Sequence, residues 1–215
     1  MDRHEEHKNV CKTKEDAKLK HLVVFCNPDE KSLCAAYRDE VVRLTLDTCN
    51  EVIVRDLYQI GFQPVLDMED LAALKKGQTP DDIRVEQDYI RWADLITFVY
   101  PVWWTGLPAL LKGYIDRVFA SGFAYERTKE GTINGLLSGK NVIILNNMGN
   151  PYEYYEKIGM ITSLEQTSDD GIFRFCGMEV LEHRFFGHLT DSSKEERKGH
   201  IEVLQYIYSK VLPKN

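Results

Sequence analysis

The feature that most limits how this chain can fold is an alternation of short, nearly unbroken apolar runs with stretches of helical periodicity. The runs are His21–Cys26 (HLVVFC), Glu51–Asp56 (EVIVRD), Leu95–Tyr100 (LITFVY), Asn141–Asn146 (NVIILN) and Glu179–Phe186. Their brevity and β-branched content suit strands buried on both faces, the condition of a parallel sheet. Between them Leu33, Tyr37, Val41 and Leu44 recur at helical spacing, as do Leu107, Leu111, Tyr114 and Val118, and later Ile201, Leu204, Tyr208 and Val211. Thr79-Pro80-Asp81-Asp82 offers a cap, a first-turn proline and an acidic third position ahead of a helix through Ala93. The segment from Pro151 to Gly177 reads as a long loop with one or more helices. Strands that alternate with helices predict an α/β fold, a doubly wound five-stranded parallel sheet with helices on both faces.

Length and charge narrow the function. A chain of 215 residues is read as one domain over 21–215, behind a charged and flexible tail over 1–20. A net charge of −7 argues against a nucleic-acid or anionic-membrane partner, because either needs clustered Lys and Arg. No apolar run approaches the ~20 residues of a membrane-spanning helix, and the start has no apolar core of a secretory signal. Cys11, Cys26, Cys34, Cys49 and Cys176 are odd in number and show no CxxC pair, which reads as free thiols in a cytoplasmic, reducing compartment. His4, His7 and Cys11 lack the fourth ligand that structural zinc takes, so no metal site is assigned.

In a sheet of order 2-1-3-4-5 the winding reverses between the first and third strands, and ligands bind beyond the carboxyl ends there. Three segments lie at that edge. In Asn27-Pro28-Asp29-Glu30-Lys31-Ser32-Leu33-Cys34, Ser32 can cap the following helix, whose free N–H groups make a phosphate site to which Lys31 adds charge. An ordinary strand–helix connection would look similar. In Pro101-Val102-Trp103-Trp104-Thr105-Gly106-Leu107-Pro108, two adjacent tryptophans cannot both enter one core at a strand end, so at least one is expected over the crevice, where a flat ligand could stack. Asn146-Asn147-Met148-Gly149-Asn150-Pro151 offers amides to the edge of a heterocycle, or is a plain turn. The histidines, His183 and His188 among them, have no acid or nucleophile at triad spacing and read as surface or satisfied core residues.

These residues carry a resemblance. The run from Pro101 to Phe119 (PVWWTGLPALLKGYIDRVF) followed by Gly122-Phe123-Ala124-Tyr125 resembles the signature of the NAD(P)H:quinone oxidoreductase family, also called DT-diaphorases. The likeness continues through Asp56-Leu57-Tyr58, Asp82-Ile83 with Glu86-Gln87, Gly135-Leu136-Leu137, Phe175-Cys176-Gly177 and Glu195-Glu196-Arg197-Lys198-Gly199, covering residues 21–212. It implies a flavodoxin-like fold and a two-electron reductase that passes hydride from NADPH or NADH through flavin N5 to quinones by a ping-pong route. The implied flavin is FAD, with FMN as the alternative. The implied site places Leu33 and Cys34 at the flavin phosphates, beside Asn27, Lys31 and Ser32 of the same loop, and Val102, Trp103, Trp104 and Thr105 against the ring, beside Pro101. Asn146, Asn147, Met148 and Gly149 fall at the ring's polar edge, with Tyr154 and Arg197 also in contact. Tyr154, Asn146 and Asn147 take the catalytic roles and Tyr125 lines the quinone pocket. The family further implies a homodimer with composite pockets.

The chain departs from the pattern at Asn27, where the family often has His, at Cys34, where it has Asn, and after Tyr154. There Glu156-Lys157-Ile158-Gly159-Met160-Ile161 contains no counterpart of the family's catalytic histidine, and the longer members' C-terminal extension is missing. Two other functions compete. A flavodoxin-type electron carrier would need a hydroxyl-rich phosphate loop, and an ancillary flavoprotein subunit regulating a transporter would need a partner surface.

Overall fold

The computed structural model describes residues 18–187 and 192–213. Residues 1–17, with His4, His7 and Cys11, lie outside the described residues, as does His188. The chain runs β1 (Lys20–Phe25), α1 (Leu33–Asp47), β2 (Glu51–Asp56), α2 (Met68–Lys75), α3 (Asp81–Trp92), β3 (Leu95–Pro101) and α4 (Ala109–Val118). A small hairpin, β4 (Tyr125–Arg127) and β5 (Ile133–Gly135), precedes β6 (Asn141–Asn147). Then come α5 (Tyr152–Lys157), α6 (Met160–Glu165), a π-helix (Gln166–Arg174), β7 (Glu179–Phe186) and α7 (Lys194–Val211).

The sheet is parallel throughout, in the order β2-β1-β3-β6-β7, so the five strands read from the sequence take the 2-1-3-4-5 arrangement. The three central strands are apolar almost without a break because both their faces are covered. Alternate residues feed two cores. Leu22, Val24, Ile96, Phe98, Val142 and Ile144 pack under α3 and α4. Val23, Phe25, Val99, Ile143 and Leu145 pack under α1 and α7. The hairpin β4–β5 and the helix α2 are additions that the sequence reading did not separate. Helix α3 begins one residue later than the Thr79 cap implies: Pro80 is the N-cap, and no side chain caps it. The long segment after β6 is helical for most of its length, as Met148, Ile161, Leu164 and Phe185 form a third small core beneath it.

Two details of packing position the site. The Cβ that Gly113 lacks would lie 2.2 Å from the carbonyl oxygen of Pro64, so the 57–67 connection crosses α4 in direct backbone contact. Arg117 ties the same region down through Asp70, Asp82 and the Gln63 carbonyl. Among the cysteines, Cys26, Cys34 and Cys176 are buried free thiols. Cys49 is disulfide-bonded, which corrects the expectation of five free thiols. No helix among the described residues is long and apolar enough to cross a membrane.

Candidate functional site

Helices α1 and α4 pack on opposite faces of the sheet, so the winding reverses between β1 and β3. The segments after β1, β3 and β6 leave the carboxyl edge side by side at that point.

The first segment is shaped by its own side chains. Asn27 Oδ1 accepts from the Asp29 N–H at 2.9 Å, Asp29 Oδ1 from the Lys31 N–H at 2.9 Å, and Ser32 Oγ from the Ala35 N–H at 3.2 Å. Ser32 is therefore the N-cap. The Leu33 and Cys34 N–H groups, in the first turn of a 15-residue helix, have no acceptor within the helix. That terminus has no acidic residue in its first turn, so its partial positive charge is open to an anion. Cys34 faces inward, where burial pushes its thiol up to about 12; it is a packing residue.

The second segment folds into a two-residue hairpin turn. Trp103 and Gly106 exchange both backbone hydrogen bonds at 3.1 Å, and the residues between them, Trp104 and Thr105, have φ of 49° and 56°. This is the geometry of a type I′ turn, whose central positions favour Asn-Gly because both are left-handed. A bulky and a β-branched residue there cost roughly 1–3 kcal/mol each. The turn nonetheless projects Trp104 wholly into solvent, with Trp103 43% exposed. Both tryptophans are thus exposed, where at least one was expected.

The third segment closes against the second, as the Val102 N–H donates to the Asn147 carbonyl at 2.7 Å. Asn146 Nδ2 donates to the Tyr100 carbonyl at 3.1 Å, and its Oδ1 accepts from His183 at 2.7 Å. The Asn146 amide is therefore engaged at both ends below the edge. Asn147 differs: its Oδ1 is buried and has no hydrogen-bond partner among the described residues. A buried acceptor without a donor costs about 1–3 kcal/mol, so the atom is poised for a ligand N–H or O–H. A Cβ on Gly106 or Gly149 would meet nothing within 4 Å, which leaves room above both turns. An open helix N-terminus for phosphate, an exposed indole for a flat ring and an unpaired acceptor for a ring N–H or ribityl hydroxyl together fit a flavin.

The remaining candidates are dispersed. Tyr154, on α5, is half exposed and contacts Tyr155. Arg197, on α7, donates from Nε to Ser192 Oγ at 3.1 Å, near a cavity of about 140 Å³ lined by Tyr152, Gly187 and His200. Tyr125 stacks edge-on against Phe175 and lines a different groove, of about 450 Å³, with Leu66, Leu71, Ile83, Phe119 and Phe123. None of the three edge segments borders that groove, so within one chain Tyr125 does not reach the site.

His183 was read as lacking a carboxylate partner; the fold supplies one. Its Nδ1 lies 2.8 Å from Asp169 Oδ1. His21, by contrast, is a satisfied core histidine, held by Thr45 and Thr97 at 2.8 Å each.

Comparison with known proteins agrees with this geometry. A family model described as flavodoxin-like fold matches residues 19–207. A Haemophilus influenzae protein named an uncharacterized NAD(P)H oxidoreductase is 38% identical over 186 residues, spanning 86% of this chain and 92% of its own. The human ribosyldihydronicotinamide dehydrogenase [quinone] is 30% identical over 201 residues, 84% of this chain and 86% of its own. A crystal structure of a Klebsiella pneumoniae protein superposes with a TM-score of 0.84 at 25% identity, covering 92% of this chain and 86% of that one.

Proposed function

We propose, from the premise that this chain belongs to the flavodoxin-like NAD(P)H:quinone oxidoreductase family, that it is a flavin-dependent reductase of quinones and similar acceptors. The observation that carries the proposal is the convergence, at one sheet edge, of an open helix N-terminus, the exposed Trp104 turn and the orphaned Asn147 acceptor. When bound, a flavin would supply two-electron redox chemistry between NAD(P)H and a quinone-like acceptor that in turn occupies the donor's place, a ping-pong exchange.

The protein's part is positional. The N–H groups of Leu33 and Cys34, with Ser32 and Lys31, hold the phosphate. Pro101 to Thr105 support one face of the ring, and Trp104 covers apolar surface there. Asn147 Oδ1 accepts a donor from the cofactor, and the backbone of Met148 and Gly149 lies along its polar edge. Tyr154 and Arg197, which lie apart from these segments, are proposed as further cofactor contacts from α5 and α7. FAD is the proposed flavin, as the sequence resemblance implies, with FMN as the alternative outcome. Releasing the cofactor by heat and identifying it by chromatography separates the two. Stopped-flow reduction by NADH and by NADPH tests the function itself. A purified protein that holds no flavin, or whose flavin neither donor reduces, refutes the proposal.

The working unit is proposed to be a homodimer. Val65 and Met68 are 71% and 74% exposed, and Leu66 and Trp104 add apolar surface that a monomer would leave in water. A two-fold partner would cover it and bring its own Tyr125 to a pocket that the same chain's Tyr125 does not reach. Sedimentation equilibrium over a hundredfold dilution, with activity at each step, checks this; a fully active monomer is the contrary result.

A further inference from the structure

Beneath the Val102–Leu107 segment lies a buried polar cluster to which the family resemblance assigns no role. The His183 and Asp169 side chains are 3% and 6% exposed. Nδ1 of His183 faces Asp169 Oδ1 at 2.8 Å, and Nε2 faces Asn146 Oδ1 at 2.7 Å. The asparagine cannot be turned round, because its Nδ2 donates to the Tyr100 carbonyl; reversing the amide would set oxygen against oxygen. Both ring nitrogens therefore face acceptors, a pairing that an imidazolium satisfies and a neutral ring does not. Ser168 Oγ lies 2.7 Å from the same carboxyl oxygen of Asp169. The His183 ring stacks on Phe185 with ring centres 4.0 Å apart, an arrangement suited to a cation.

Two irregularities place it there. The register between β6 and β7 slips after Val142, so that Val142 pairs with Val180 but Ile143 with Glu182. Without that bulge at Leu181, His183 would pair with Leu145 and face α1 and α7. With it, His183 pairs with Ile144 and shares the face of Asn146. Asp169 comes from the π-helix, whose wide turn buries Ser168 and Asp169 together.

His183 and Asn146 line a small cavity with Tyr100, Val102 and Gly106, directly under the segment assigned to the ring; Asp169 does not reach it. Resting on the flavin reading of this site, we propose that Asp169, His183 and Asn146 are positioning residues: His183 is held as an imidazolium, the cationic end of an ion pair with Asp169, turned towards the ring end of the cofactor, and so favours its reduction. Reduction places negative charge on the ring, and a cation acting through a buried medium stabilises that charge more than water would. The other charged groups near the pair lie on its far side. Glu165, Asp170, Arg174 and Glu182 border an open cavity of about 520 Å³ there. Of these, Asp170 pairs with Arg174 at 2.6 Å and Glu182 with Arg184 at 2.7 Å. From β3 the Tyr100 phenol faces the cluster.

The test uses flavin-loaded wild type, His183→Gln and Asp169→Asn, with FAD as the probe. It reads the dissociation constant for oxidised FAD, the midpoint potential and the ¹⁵N signals of the His183 ring. Oxidised FAD should bind all three within about threefold. The preference for reduced over oxidised flavin should fall at least tenfold in His183→Gln, about 30 mV for a two-electron couple. Asp169→Asn should shift the potential in the same direction, and wild-type His183 should show both ring nitrogens protonated. A purely structural role would weaken both redox states equally and leave the potential where it was, which overturns the proposal; so does a neutral wild-type ring, whatever the folding of the variants. Wild-type protein that binds no FAD refutes instead the flavin reading on which the proposal rests.

Discussion

Acidification should destabilise this fold through His21, at pH values where most surface groups are indifferent. The ring sits on β1 with none of its surface exposed. Thr45 Oγ spends its hydrogen on the Val41 carbonyl at 2.8 Å, so it must accept from His21 Nδ1–H. Nε2 then accepts from Thr97 Oγ, which in turn accepts from Tyr208 OH at 2.6 Å. Every position is filled by a neutral imidazole, and burial lowers its pKa from 6.5 to about 3. The unfolded chain binds a proton that the folded one refuses. The contribution is therefore complete above pH 6.5 and is lost as the pH falls from there towards 3. At about 1.4 kcal/mol per pH unit, going from pH 7 to pH 4.5 should remove about 2.5 kcal/mol through this residue alone. Urea unfolding at half-unit steps, at fixed protein and flavin concentration, measures the slope in wild type and in His21→Leu. Subtracting the curves cancels the carboxylates common to both. If the two fall in parallel, the buried ring is not the source and the reasoning fails.

Other expectations are simpler. Gly113→Ala should cost about 1–3 kcal/mol, because its Cβ would meet the Pro64 backbone at 2.2 Å; an unchanged melting temperature would deny the close crossing. Arg117→Met should cost about 3 kcal/mol at neutral pH by leaving the partly buried Asp70 without its partner. Arg117 holds the Asp70 carboxyl below its ordinary value, so in urea titrations that deficit should shrink as acid protonates Asp70. Replacing Trp104-Thr105 with Asn-Gly should stabilise the fold by about 2–6 kcal/mol in chemical denaturation, since it relieves two left-handed residues, while flavin affinity falls. An unchanged affinity would remove the turn from the site. Cys34, buried and raised to about 12, should resist alkylation at pH 8 until the chain unfolds.

Much of the architecture was legible because it rests on short-range regularities. Strands β1, β3 and β6 announce themselves as apolar runs, since a strand covered on both faces has no polar face to alternate with. Ser32 could be read as a cap because its acceptor and the Ala35 N–H lie three residues apart. The likeness in sequence from Pro101 to Tyr125 led to the family. The hairpin β4–β5 was not legible, its strands being three residues each, nor was α2, which has no buried residue and hence no apolar stripe to detect.

The chemistry of the site divides in the same way. The sequence determined which segments reach the ligand edge, because sheet topology sends every βα connection there. Only the tertiary structure decided what each side chain does. Asn146 and Asn147 look equivalent in the chain, but neighbours on opposite faces of β6 cannot share partners: one is held by His183 and Tyr100, the other keeps a free acceptor. His183 is separated from Asp169 by 14 residues and from Asn146 by 37. A single extra residue in β7 turned it towards them. Facing in a sheet has a period of two, so one residue of register reverses it, and no local pattern in the sequence records that choice.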